Sequence, residues 1–190
     1  MRVRQENDAD AWAEFVDLYG PLIYRYGRRR GLQDADAADL SQDVLREVAR
    51  SIGRFQYDPS LGRFRNWLFV VAQRRLFSQF QRTQRQTAGS GDTSVLATLH
   101  EVPSSDDEQA AWEDEYRRHL FTWACEQVRC EFEEHTWSAF WQTAVEEQKP
   151  QDVADALGMK VGSVYVAKNR VLARLRVKVA EVEESAAQDL

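Results

Sequence analysis

The chain has 190 residues, 43% of them hydrophobic and 29% charged with few Gly or Pro, a composition that favours packed helices and excludes a disordered or collagen-like chain. A formal net charge of −6 excludes a uniformly basic nucleic-acid protein. No apolar run reaches the ~20 residues of a membrane span, and MRVRQENDADAW lacks a signal-peptide core, so a cytoplasmic protein is expected.

Ala9 to Tyr19 places Trp12, Phe15, Val16 and Tyr19 at the three- and four-residue spacing of an amphipathic helix. Pro21 after Gly20 then suits the first turn of a second segment that runs to Gly31. Arg28, Arg29 and Arg30 complement the dipole at its end and need no functional explanation. Asp34 to Ile52 forms the next helix, with Asp34 or Asp36 as N-cap and Leu40, Val44, Val48 and Ile52 as its buried stripe. Its other side, Asp39, Gln42, Asp43, Arg46, Glu47 and Arg50, reads from the residues alone as a solvated face. Asp58-Pro59-Ser60-Leu61-Gly62 is a turn.

Arg63 to Arg82 interleaves arginines with aromatics, which suits single-stranded DNA: cations track phosphates while rings stack on unpaired bases. Phe64 and Trp67, with Leu68, Val71 and Ala72, also form an apolar stripe and, taken alone, read as core. Arg54, Arg63, Arg65, Arg74, Arg75, Arg82 and Arg85 face only Asp58 in their stretch, a basic island in an acidic chain. Thr83 to Glu108 is rich in Ser, Thr, Gly and acid and reads as a linker between two helical domains, with Val95 to Leu99 docking transiently on a neighbour.

Ala110 to Phe132 resumes helix with Trp112, Tyr116, Leu120, Trp123 and Val128 buried. Cys125 and Cys130, five apart, share no helical face; they and the scattered His100, His119 and His135 give no metal pattern, so the cysteines read as reduced packing residues and no cofactor is expected. Thr136 caps a helix packing Trp137, Phe140, Trp141 and Ala144 that ends near Gln148-Lys149-Pro150. Gln151 to Arg176 then reads as a helix-turn-helix: Val153, Ala154 and Leu157 on one face, a break at Gly158, and a second stripe of Val164, Val171 and Leu175. Opposite that stripe lie Val166, Asn169, Arg170 and Ala173, flanked by Ser163 and Tyr165. Lys160, Lys168, Arg170, Arg174, Arg176 and Lys178 carry no acid between them, as a phosphate-facing element requires. The tail beyond Val182 is expected to fray.

In this order the elements resemble the extracytoplasmic-function (ECF) group of sigma-70 type RNA polymerase sigma factors. DLSQDVLREVARSIGRF resembles the core-polymerase-binding helix, FRNWLFVVAQRRLFSQFQR the promoter-melting helix and Gln151 to Arg176 the upstream-element reader. SVYVAKNRVLARLR, with the Trp-rich segment before it, resembles the divergent sigma factors of planctomycete-type bacteria. The resemblance implies an all-α fold of two helical domains joined by a flexible linker, with region 2 at 1–85, the linker at 86–108 and region 4 at 109–182. It further implies that Asp39, Gln42, Asp43, Arg46 and Glu47 grip core RNA polymerase. Arg63, Arg65, Trp67, Arg74, Arg75, Ser78 and Arg82 would hold melted minus-10 DNA, and Ser163, Tyr165, Val166, Lys168, Asn169, Arg170 and Arg174 would approach the minus-35 element. Core polymerase, promoter DNA and an anti-sigma factor are the implied partners. The chain departs from the family pattern at Arg74 (commonly Asn), Ser78 (commonly Asp), Lys160 (often Ser or Pro) and Tyr165-Val166-Ala167 (commonly Lys-Ser-Arg).

A conventional helix-turn-helix regulator, with an N-terminal domain that senses a ligand or partner, is the alternative. An enzyme is disfavoured, since the sequence offers no nucleophile-base pair, phosphate loop or metal cluster.

Overall fold

Helix α1 (Ala9–Arg29) runs unbroken through Gly20 and Pro21, where the spacing suggests two segments. Proline 21 lacks the N–H that would reach the Asp17 carbonyl, which ordinarily costs about 3 kcal/mol or more. Here a ring nitrogen of His119, Nε2, lies 3.4 Å from that oxygen. Burial on both sides of the break, through Leu18, Tyr19, Leu22 and Ile23, holds the helix together. The computed structural model describes residues 9–51, 64–87 and 105–188. The turn at Asp58 to Gly62, Arg54, Ile52, Arg63, Val95 to Leu99 and most of the expected linker lie outside them. Among the described residues there are seven α-helices, one 3-10 turn and no strand, an all-α fold.

Helix α2 (Asp34–Ser51) buries Leu40, Val44 and Val48 against α1. The N-cap is Gln33, whose carbonyl accepts from Ala37, rather than Asp34 or Asp36. Asp34 instead opens the first turn and accepts a hydrogen bond from the Tyr24 hydroxyl. The α1–α2 approach is close: a Cβ on Gly27 would meet Leu40 Cδ2 at 3.0 Å, and Ser41 Oγ donates to the Gly20 carbonyl at 3.0 Å.

Helix α3 (Phe64–Thr87) packs on α1 through Phe64, which meets Phe15 and Tyr19 edge-on. Helix α4 (Ser105–Val128) starts ahead of the expected Ala110, in residues assigned from composition to the linker. Asp106, Asp107 and Glu108 occupy its first turn, where carboxylates complement the helix dipole. Its first half belongs with α1 to α3: Trp112 meets Tyr26 edge-on at 5.6 Å, and Tyr116 stacks on Tyr19 at 6.0 Å. The arginines at the end of α1 are used here too. Arg25 and Arg29 pair with Glu115, and Arg30 pairs with Glu108.

The described residues fall into two compact units, one of residues 9–119 with 185–188 and one of residues 120–184. In the second unit, Arg129–Glu131 forms a 3-10 turn and α5 (Glu134–Ala144) follows. Glu133 rather than Thr136 is its N-cap, and Phe140 is its buried anchor, while Trp137 and Trp141 are only partly covered. It stops at Ala144, short of Gln148, and Glu147 takes a left-handed φ of 56° on the way to Pro150. Helix α6 (Pro150–Leu157) carries Pro150 in its first turn, where the absent N–H costs nothing. Helix α7 (Val161–Gln188) stays helical well past Val182. Cys125 is buried, which pushes its thiol up to about 11; Cys130 is exposed, contrary to a packing role.

Candidate nucleic-acid interfaces

The solvent side of α2 follows from its period, since burying Leu40, Val44 and Val48 turns the residues between them outward. Asp39, Gln42 and Arg46 are exposed, and Asp43 and Glu47 are half-covered. Arg46 donates to Asp43 Oδ1 at 2.6 Å and to Gln42 Oε1 at 3.0 Å, so the three side chains form one ordered polar cluster. Glu47 pairs with Arg75 of α3, tying this face to the next helix.

Helix α3 distributes its arginines unevenly. Arg65 is buried, stacks over the Tyr116 ring at 4.4 Å and pairs with Glu113 at 3.4 Å. It is therefore an internal cation, away from any surface that could meet DNA. Trp67 is partly covered and lies against Phe64 at 5.4 Å, short of the burial that a core reading expects. Arg75 is half-exposed and committed to Glu47. Arg74 and Arg82 are exposed and have no carboxylate partner among the described residues. Ser78 is exposed, but its hydroxyl donates back to the Arg74 carbonyl at 2.9 Å. Phe77, outside the site residues that the sequence suggests, is 58% exposed beside Arg74 and Ser78. A count along the helix finds it, because 70, 74, 77, 78, 81 and 82 recur at three- and four-residue intervals.

The helix-turn-helix is built around Val153, Ala154, Val164 and Ala167, which pack with Ala139 of α5. Gly158 sits at φ 64°, a left-handed conformation suited to glycine, and the Met159 N–H closes the turn on the Ala154 carbonyl at 2.8 Å. Val164, Val171 and Leu175 are buried as their spacing dictates. Ser163, Tyr165, Val166, Asn169, Arg170 and Ala173 are all exposed, Tyr165 by 52% and Val166 by 67%. Ala167, one of the departures, faces the core.

Three cations of this helix are engaged, among them Lys178, which pairs with Glu181 and lies over the Trp123 ring at 5.0 Å. Arg174 grips Glu131 with two hydrogen bonds of 2.7 and 2.8 Å, which hold the Glu131 carboxyl below the ordinary glutamate range. Lys168 donates to the Thr143 carbonyl at 3.2 Å. Arg170 lies over the Phe132 ring at 5.8 Å with its side chain still exposed. No group of three or more His, Cys, Asp or Glu side chains among the described residues is placed to hold a metal, and no described helix is long and apolar enough to cross a membrane.

Residues 15–86, spanning α1 to α3, match the Sigma-70 region 2 family. The chain is also 32% identical over 125 residues to the "ECF RNA polymerase sigma factor SigK" of Mycolicibacterium vanbaalenii, a match covering 62% of this chain and 59% of that protein. The chain thus spans about three fifths of the length of this curated relative.

Proposed function

We propose that this chain is a sigma factor of the ECF group of the sigma-70 type, a dissociable, cytoplasmic subunit that directs core RNA polymerase to specific promoters. The observation that carries the reading is the region 2 match over α1 to α3, which contains both the polar cluster on α2 and the arginine-bearing face of α3. Asp39, Gln42, Asp43 and Arg46 would meet core polymerase. The hydrogen bonds from Arg46 to Gln42 and Asp43 order those three side chains before binding, which lowers the ordering cost of a complex.

Arg74 and Arg82 of α3 would hold melted minus-10 DNA, with Arg75 available once Glu47 lets it go. The outward face of α7 would lie in the major groove of the minus-35 element, as recognition helices do. Asn169 and Arg170 supply the hydrogen bonds there, since Tyr165 and Val166 offer bases little beyond apolar contact. Exposed arginines on an otherwise acidic chain give a local potential that steers DNA, with the salt sensitivity of counterion release. The role requires no covalent chemistry. An anti-sigma factor would control it by covering one of these faces.

The test is a pull-down with core polymerase that compares the wild type with Gln42→Ala plus Asp43→Arg. Loss of binding in the variant, with unchanged helicity, is expected. A wild-type chain that binds promoter DNA but never core polymerase would instead indicate a helix-turn-helix regulator.

A further inference from the structure

Arg170 is exposed on α7, and a long side chain in that position ordinarily samples many rotamers. Here its guanidinium lies over the ring of Phe132, 5.8 Å from the centroid and within the ~6 Å reach of a cation–π contact. Phe132 follows the 3-10 turn Arg129–Glu131 and lies outside the helix-turn-helix.

The ring is itself held in place. Arg129 Nη1 donates to the Phe132 carbonyl at 3.2 Å, the Phe132 N–H donates to the Arg129 carbonyl at 3.3 Å, and the Trp137 ring lies 6.4 Å away. Glu131, the residue before it, ties the turn to α7 through its two hydrogen bonds from Arg174 at 2.7 and 2.8 Å. Arg170 and Arg174 are four residues apart and so neighbours on one helix face. Adjacent residues of the turn therefore meet neighbouring cations of the helix, and the Arg174–Glu131 pair fixes the distance from which Phe132 reaches Arg170.

The two attachments leave their cations in different states. The Glu131 carboxylate takes up hydrogen-bonding edges of Arg174, which is partly covered. A ring attracts the charge of Arg170 through its face and accepts none of the guanidinium's N–H groups in hydrogen bonds of ordinary strength. Those N–H groups are what guanine O6 and N7 accept from in the major groove. Phe132 thus restrains Arg170 without consuming the donors that a base would need.

We propose that Phe132 is the positioning residue for Arg170, aiming its guanidinium at one base pair before DNA arrives and so setting how sharply α7 discriminates there. Ordering the side chain in advance lowers the entropy lost on binding, and the gain falls on the base pair that Arg170 meets. The inference rests on the reading of α7 as the helix that enters the minus-35 element.

The experiment is a binding selection on randomised duplex minus-35 segments with the full chain bound to core polymerase, read as the preference at the base pair that Arg170→Ala relaxes. Phe132→Leu keeps an apolar side chain but removes the π-face, and should lower that preference about three-fold with the other positions unchanged. Phe132→Tyr should retain it. In an Arg170→Ala background, Phe132→Leu should have no further effect, since no cation is left to place. A leucine variant that discriminates like the wild type, or that loosens every position alike, would overturn the positioning role and leave α7 as the reader. So would a leucine variant that discriminates more sharply, because the ring would then be holding Arg170 back from DNA. An Arg170→Ala complex that binds promoter DNA with every preference intact would overturn the reading of Arg170 itself, and the proposal with it.

Discussion

Helices α3 and α7 both carry runs of arginine and lysine, yet they hold those cations differently. On α3, Arg65 is enclosed by Tyr116 and Glu113 and Arg75 is tied to Glu47, which leaves Arg74 and Arg82 outward. On α7, the tethered cations are Lys168, Arg174 and Lys178, while Tyr165, Val166, Asn169 and Arg170 are exposed. Helix α3 buries Phe64, Leu68, Val71, Ala72 and Leu76 and turns Arg74, Phe77, Ser78 and Arg82 outward, and α7 near its start buries Val164, Ala167 and Val171. Cations that look alike in sequence thus divide into those that hold the fold and those free to meet phosphate. The division follows whether a carboxylate, ring or carbonyl lies within reach of the cation.

The largest expected effect breaks that division on α3. Arg65→Ala should lower stability by about 3 kcal/mol or more, since it leaves Glu113 without its partner at a mostly covered site. Arg74→Ala, on the open face, should stay within about 0.5 kcal/mol yet weaken single-strand binding, with a shallower salt dependence. Urea midpoints and salt titrations of the two variants check this. Equal midpoints would contradict the partition.

Next in size are the α7 readers. Asn169→Ala and Arg170→Ala should each lose about 1 to 3 kcal/mol of discrimination at one base pair, seen as a relaxed preference in a binding selection. Arg176→Ala, at an exposed cation of the same helix, should weaken binding evenly across sequences. Gly158→Ala should cost about 1 kcal/mol, because alanine pays for the left-handed φ of 64°, and calorimetry on the full chain would register it. The smallest effect is the Arg174–Glu131 pair. The folded carboxyl sits below its usual range, so its contribution is complete above the ordinary glutamate value of 4.5 and fades as pH falls through the lowered value. Glu131→Gln should therefore flatten the stability curve below pH 4.5 and leave its shape near neutrality unchanged.

The turn at Gly158 and both stripes of the helix-turn-helix could be read from residue types because their packing is local: Val153, Ala154, Val164 and Ala167 meet across one turn. The polar face of α2 was legible for the same reason. Contacts between residues far apart in the chain were not. Nothing near Pro21 announces that His119 meets the Asp17 carbonyl, and nothing near Arg65 announces Glu113 and Tyr116. The start of α4 was hidden by its acidic composition, which suggests a linker when counted and a favourable first turn when placed on a helix. Phe77 escaped notice because the apolar stripe of α3 drew the aromatic residues into the core by default.

Run-off transcription with purified core polymerase on a genomic promoter library tests the central claim most directly. Core polymerase plus this chain should yield transcripts from a defined promoter set, with start sites downstream of a shared pair of elements. Neither component alone should do so, and Arg74→Ala plus Arg82→Ala should lower the yield from duplex templates more than from templates with a pre-opened bubble. A chain that binds those promoters but supports no initiation by core polymerase would contradict the account.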